Sequence, residues 1–246
     1  MARRLIRIAG ADALTFLQGL VTNDVDRLKD GLVYTALLTP QGKLIADFFL
    51  VPDGNAVLID VDAEVAQTLA TRLSMYKLRA DVTLDWDDRL VAQGDGPMPA
   101  GAFADPRDPS LGWRAYGEAQ AADLPDWAAR RVAACVPEWG AELGPETYIL
   151  EAGFERLGGV DFKKGCYVGQ EVTARMKHKT QLRKGIARVR VDGHASQGDE
   201  VTVNGKAAGT LHTVAGGHAL AYLRFDRMTG PAQAGTATVI LEDDAP

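Results

Sequence analysis

The spacing of apolar and polar residues changes several times along the 246-residue chain, and each change predicts an element. Residues 5–8 (LIRI) read as a short strand. Asp12 is placed to cap a helix with Leu14, Leu17, Leu20 and Val21 at helical spacing. From Leu32 the pattern becomes that of strands, with runs at 32–39, 43–51 and 56–61. Pro40-Gln41-Gly42 and Pro52-Asp53-Gly54-Asn55 break these runs, so an antiparallel meander is expected. Asp62 then caps a helix over about 63–77, with Val65, Leu69, Leu73 and Tyr76 on one face. Strands follow near 80–85 and 89–93. Residues 94–112 hold four glycines and four prolines and read as a loop. An alanine-rich helix is expected over about 118–135. Beyond Lys184, five short runs (186–191, 200–203, 207–214, 218–225 and 236–241) are separated by glycine turns, Asn204-Gly205 among them, and suggest a small barrel. The fold class is therefore α+β, with a body over 1–183 and a β-barrel over 184–246.

Composition narrows the function classes. Apolar residues make up 46% and charged residues 24%, an ordinary globular balance. Lys and Arg number 27 against 33 Asp and Glu, a net charge of −6, so no direct nucleic-acid partner is expected. Two cysteines, Cys135 and Cys166, are too few for a disulfide framework or a self-sufficient metal site. No stretch of 18 apolar residues exists, so no membrane span is expected. Arg3, Arg4 and Arg7 look like the start of a targeting signal, but Asp12 and Gln18 interrupt the segment behind them. A cytoplasmic monomer is the expectation. The four tryptophans, Trp86, Trp113, Trp127 and Trp139, are expected to pack.

The stretch Lys163-Lys164-Gly165-Cys166-Tyr167-Val168-Gly169-Gln170-Glu171 carries the chemistry. Gly165 and Gly169 flank the thiol and permit a sharp backbone path. The two lysines place positive charge near Cys166, which favours the nucleophilic thiolate. The plain alternative is a glycine turn around an inert cysteine. Cys135, in the apolar stretch from Val132 to Val136, is expected to be buried. A helical run over Val172–Met176 ends in Lys177-His178-Lys179. His178 is weak as a ligand or base, and a solvated basic turn is the simpler reading of it.

This KGCYVGQE segment resembles the signature of the YgfZ-type proteins, folate-binding relatives of the glycine-cleavage T-protein implicated in assembly or repair of iron–sulfur clusters. The resemblance extends to Phe16-Leu17-Gln18-Gly19, Val21-Thr22-Asn23-Asp24-Val25, Tyr34 through Leu50, Gly158-Gly159-Val160-Asp161-Phe162 and Thr173-Ala174-Arg175. It implies a T-protein-like body with antiparallel sheets around a central cavity, plus the C-terminal barrel. It also implies that Cys166 lies on a surface loop near the cavity mouth. Tetrahydrofolate is the implied cofactor, with Glu151, Asp47, Arg175 and Lys164 as its contacts and Cys166 and Asp47 as the residues that carry chemistry. The implied partners are iron–sulfur client proteins, tRNA-modifying enzymes among them. Two departures from the T-protein pattern point away from glycine cleavage. Ala46-Asp47 keeps one of a pair of aspartates, and Cys166 and Gln170 replace an aspartate and an arginine. A tetrahydrofolate-dependent aminomethyl or methyl transferase remains the alternative, and enzymatic activity is left open between the two. Arg175, Lys177, Lys179, Arg183 and Lys184 form a basic run that can steer the glutamate tail of a folate; a solvated face is the alternative.

Overall fold

The computed structural model describes residues 2–117, 124–178 and 182–242. By its internal contacts the chain forms two compact units, Met1–Pro125 with Leu157–Val172, and Asp126–Arg156 with Thr173–Pro246.

The first unit opens with β1 (Arg3–Ala9) and a short helix α1 (Ala13–Gln18), then β2 (Val33–Leu38), β3 (Leu44–Asp53), β4 (Ala56–Asp62), helix α2 (Ala63–Lys77) and β5 (Thr83–Asp87). The strands form one antiparallel sheet in the order β2-β3-β4-β1-β5. Every residue of β2 and β4 is buried, so this meander lies covered on both faces. The Asp62 carboxylate accepts from the Glu64 amide (2.9 Å) and starts α2, which buries Val65, Ala66, Leu69 and Leu73. The N-terminal helix is shorter than its apolar spacing predicts. The Asp12 carboxylate accepts from the Asp81 amide (2.8 Å) and makes no cap bond to its own helix. Leu14 is 53% exposed, and Leu20 and Val21 lie beyond the helix.

A second antiparallel sheet, β6-β8-β7, is made by β6 (Leu90–Gly94), β7 (Phe103–Ala104) and β8 (Trp113–Gly117). The stretch 94–112, expected to be loop, thus supplies a two-residue strand, a 3₁₀ turn at Pro109–Leu111 and the buried side chains of Asp105 and Arg107. Trp86 also departs from expectation: it is 42% exposed, with the Arg4 guanidinium 4.7 Å above its ring.

In the second unit, α3 (Trp127–Ala133) is shorter than the helix expected over 118–135, whose residues 118–123 lie outside the described ones. Arg131 on α3 pairs with the buried Glu142 (2.9 Å). Helix α4 (Gln170–His178) precedes the barrel strands β9 (Lys184–Asp192), β10 (Glu200–Val203), β11 (Lys206–Ala215), β12 (His218–Arg224), β13 (Ala232–Ala234) and β14 (Ala237–Leu241). They close in the order β10-β11-β12-β9-β14-β13. Val189, Val201, Leu211, Leu223 and Val239 fill the interior with Ala208, Ala219, Ala221, Ala232, Ala234 and Ala237, and these small side chains suit so narrow a barrel. Sequence periodicity missed β13, which is three residues long. No helix among the described residues is long and apolar enough to cross a membrane.

Candidate functional site: a clamped thiol loop and two buried carboxylates

Two segments far apart in sequence fold together in the first unit. Residues 18–24 run on from the last residue of α1, and residues 158–164 lead to the thiol. The Thr22 hydroxyl donates to the Gly159 carbonyl (2.7 Å) and the Asp161 amide donates to the Thr22 carbonyl (3.0 Å). The Asn23 side-chain amide donates to the carbonyls of Gly158 (2.6 Å) and Tyr34 (2.8 Å). The Asp161 carboxylate gathers the amides of Lys163 (2.6 Å) and Lys164 (3.1 Å) and the Arg27 guanidinium (2.6 Å). Burial alone would raise the Asp161 carboxyl, yet these donors hold it below the usual carboxylate value.

Lys164 completes the clamp. Its ammonium donates to the carbonyls of Gln18 (2.8 Å), Val21 (2.6 Å) and Asn23 (2.9 Å), which uses its three N–H donors. Burial pushes this lysine down to about 8, against the pull of Asp24 and Asp161. Sequence reasoning aimed Lys164 at the thiol and at a folate; the structure turns it onto main-chain carbonyls. Lys163 is exposed.

On its other side the loop rests on the β2–β3 turn. Gly169 has φ +84°, and a Cβ there would lie 2.7 Å from the Thr39 carbonyl oxygen and 2.9 Å from Leu38 Cβ. Gly42 in that turn has φ +77°, and its Cβ would lie 2.8 Å from Val172 Cβ. Gly165 differs from both: its φ lies outside the left-handed region, and a Cβ would meet nothing within 4 Å. Between clamp and turn, Cys166 is exposed. Cys135 is half-buried rather than buried, with φ +51°, and its carbonyl accepts from Arg156 (2.5 Å).

Asp47 lies on β3 of the same unit and accepts from the Tyr34 hydroxyl (3.1 Å). Its burial raises its pKa, and the nearby charges of Arg3 and Arg107 only partly offset this. Tyr34, raised well above its usual value by burial and by Asp47, remains a proton donor. Around this pair sequence reasoning missed a buried ionic network. Arg107 holds Asp105 through Nη2 (2.7 Å), Arg114 reaches Asp60 (3.1 Å) and Asp105 (3.3 Å), and Arg3 reaches Asp60 (2.6 Å). The guanidiniums of Arg107 and Arg114 lie 4.8 and 4.3 Å from the Phe49 ring centre. The one available signal was the Asp105-Pro106-Arg107 triplet, charged residues in a stretch otherwise read as loop. A groove of about 450 Å³ between α2 and β5 is lined by residues including Gln67, Thr71, Met75 and Trp86, and by none of the expected site residues.

The second unit holds Glu151, in a turn and 9% exposed. Its carbonyl accepts from the Ile186 amide (2.7 Å), its Oε2 accepts from the Tyr222 hydroxyl (2.7 Å), and the Lys184 ammonium lies 3.9 Å from Oε1. Oε1 therefore keeps lone pairs for further donors. Arg175, Lys177 and His178 are exposed on α4, where Lys177 pairs with Glu155; Lys179 lies outside the described residues. Among the described residues, no group of three or more His, Cys, Asp or Glu side chains could hold a metal ion.

The barrel matches the family model described as CAF17, C-terminal beta-barrel domain, over residues 183–245. A mouse protein named iron-sulfur cluster assembly factor IBA57, mitochondrial, is 31% identical over 283 residues, which cover 96% of this chain and 79% of the mouse protein. The chain belongs to the IBA57 family of iron–sulfur cluster assembly factors. Fungal IBA57 homologs named mitochondrial are 35% identical over 213 residues in Pyricularia oryzae and 33% over 224 in Neurospora crassa. Each match covers 75% of this chain but only 54% and 51% of those proteins, so the chain spans about half their length. Among solved structures, the glycine cleavage system aminomethyltransferase T of Bartonella henselae matches with a TM-score of 0.76 over 99% of this chain and 83% of that one. At 13% identity that likeness is one of fold, and it bears out a T-protein-like α+β body with a C-terminal barrel for this IBA57 relative. The cytoplasmic expectation is overturned, because these IBA57 proteins are named as mitochondrial. That expectation rested on a missing signal, and a missing signal carries no information about compartment.

Proposed function

We propose that this IBA57-family chain is a factor of the folate-binding YgfZ type that supports assembly or repair of iron–sulfur clusters in client enzymes, tRNA-modifying ones among them. The observation that carries this is Cys166, an exposed thiol on a loop fixed by Lys164 on one side and by Gly169 on the other. An exposed, positioned thiolate ligates iron or meets a client's cysteine sulfur. A single thiol cannot hold a cluster, so the client or a further protein supplies the remaining ligands. The cluster is cargo, and the loop presents one ligand to it.

Glu151 supports the folate part. It is a nearly buried carboxylate with acceptor capacity left on Oε1, suited to the donor edge of a pterin. When bound, a reduced folate supplies a carrier nitrogen for one-carbon units. Arg175, exposed on α4, offers a cation for its glutamate tail. Asp47 and Tyr34 form a buried acid pair in the first unit, which can hold a proton there.

Calorimetric titration with tetrahydrofolate tests the folate part: wild-type protein binds, and Glu151→Ala binds at least tenfold more weakly. Absence of heat with folded wild-type protein at high micromolar folate rejects it. The thiol part is tested by Cys166→Ser in cells that lack the native protein, where iron–sulfur enzyme activity fails to recover although the variant is folded. Full recovery rejects it.

A further inference from the structure

We propose that the outer edge of β5 is a docking site for an extended segment of a partner protein, one that alternates apolar and basic residues and joins the five-stranded sheet as a further strand. The proposal stands apart from the folate and thiol readings.

The edge is open. In the order β2-β3-β4-β1-β5 the last strand has a neighbour on one side only. Every second residue of an antiparallel strand turns its N–H and C=O away from its partner. Among the described residues, nothing bonds to the outward main-chain groups of residues 83–87. An edge of this kind pairs with a segment that presents a compatible strand.

One face of β5 is shaped for apolar side chains. The register pairs Ile6 with Trp86 and Ile8 with Leu84, so Leu84 and Trp86 share a face with these two isoleucines. Helix α2 packs on β1, β3 and β4. Beside β5 it leaves the groove of about 450 Å³, whose sheet wall holds Ile6, Leu84 and Trp86. The helix wall is Gln67, Ala70, Thr71, Ser74 and Met75, a stripe at helical spacing without a charge. Met75 is 62% exposed, and Trp86 is exposed although the Arg4 guanidinium lies 4.7 Å from its ring centre. A strand added beside β5 lays every second side chain into this groove and removes that apolar surface from water.

The opposite face of β5 is acidic. Thr83, Asp85 and Asp87 alternate with the groove residues and point the other way. Arg7, the register partner of Asp85, is turned to Asp53 (3.2 Å). Arg89 joins Asp53 (2.9 Å) to Asp87 (2.8 Å). Asp85 and the nearby Asp88, both exposed, are left without a cationic partner among the described residues. A lysine or arginine opposite Asp85 in the added strand meets that charge. The same charge argues against a second copy of this chain as the occupant. Antiparallel pairing of two β5 edges would set the aspartates of one copy against those of the other on a single face.

The probe is the synthetic peptide acetyl-Lys-Val-Lys-Leu-Lys-Val-Lys-amide, carrying a fluorescent label and titrated against the full chain by anisotropy. Wild type should bind it about tenfold more tightly than a peptide of the same composition with its lysines grouped at one end, because only the alternating order matches the two faces. Asp85→Lys, which opposes like charges, and Ser74→Arg, which puts a charge into the helix wall, should each weaken binding by about tenfold or more. Both positions are exposed. Circular dichroism checks that the variants are folded, and Thr71→Arg replaces Ser74→Arg if that variant is not. Hydrogen exchange of residues 83–87 should slow when the peptide is bound. No binding at millimolar peptide, equal binding of the grouped peptide, unchanged affinity in either variant, or unchanged exchange of β5 overturns the proposal. A wild-type dimer that Ser74→Arg converts to monomer makes a second copy the occupant and overturns it as well.

Discussion

Replacing Gly169 by alanine should cost far more than the same change at Gly165, although both flank Cys166. At Gly169 two penalties combine. Its φ of +84° is a left-handed conformation, which costs an ordinary residue about 1–2 kcal/mol. The new methyl would also sit 2.7 Å from the Thr39 carbonyl oxygen and 2.9 Å from Leu38 Cβ, both closer than real Cβ contacts, so the turn must shift. Overpacking of that kind costs about 1–3 kcal/mol. Together these give about 3 kcal/mol, or more than a hundredfold in the folding equilibrium. At Gly165 neither penalty exists, so Gly165→Ala should stay within about 0.5 kcal/mol of wild type. Urea unfolding of both variants measures the difference. Equal losses at the two glycines, or a neutral Gly169→Ala, would refute the idea that the loop is seated on the β2–β3 turn.

Further expectations follow from the same geometry. Lys164→Met strands the buried carbonyls of Val21 and Asn23, so urea unfolding should show a loss of about 2–4 kcal/mol. Burial by itself would raise Asp105, but Arg107 and Arg114 hold it at about 2, below the usual carboxylate value of 3.8. Its contribution of about 2 kcal/mol is complete above pH 3.8 and disappears as pH falls toward 2, so the stability gap between wild type and Asp105→Asn should close over that window. Arg27→Ala should cost no more than about 1 kcal/mol in the same assay, since the guanidinium paired with Asp161 is 55% exposed. Iodoacetamide should label exposed Cys166 faster than half-buried Cys135, as read by peptide mass.

The strands were legible because their signals are local. Pro40-Gln41-Gly42 ends β2 and precedes β3, and a three-strand meander announces itself by turn residues between apolar runs. The N-terminal helix was overread at its far end, because Leu20 and Val21 keep helical spacing in sequence although the helix stops at Gln18 with Gly19 as its C-cap. The thiol's exposure followed from glycine on each side, but only Gly169 uses the freedom glycine confers. The pairing of residues 18–24 with 158–164 had no local trace, because main-chain carbonyls accept from Lys164 regardless of the side chains that bear them. The same holds for Tyr222 and Glu151, which are 71 positions apart and meet only because β12 lies beside β9. Asp105 and Arg107 were hidden in a proline-rich stretch whose composition reads as loop, although their charges satisfy each other inside the fold.

The role of the Cys166 thiol is read most directly in the specific activity of an iron–sulfur enzyme in cells that carry only Cys166→Ser in place of the native chain, with enzyme and variant quantified alongside. An exposed serine in place of cysteine should change stability by no more than about 0.5 kcal/mol, so the variant should accumulate normally. The expected result is normal enzyme protein with its cluster-dependent activity lost, and recovery when the wild-type chain is restored. Full activity with Cys166→Ser would contradict the claim and leave the cysteine a mere element of the loop's shape.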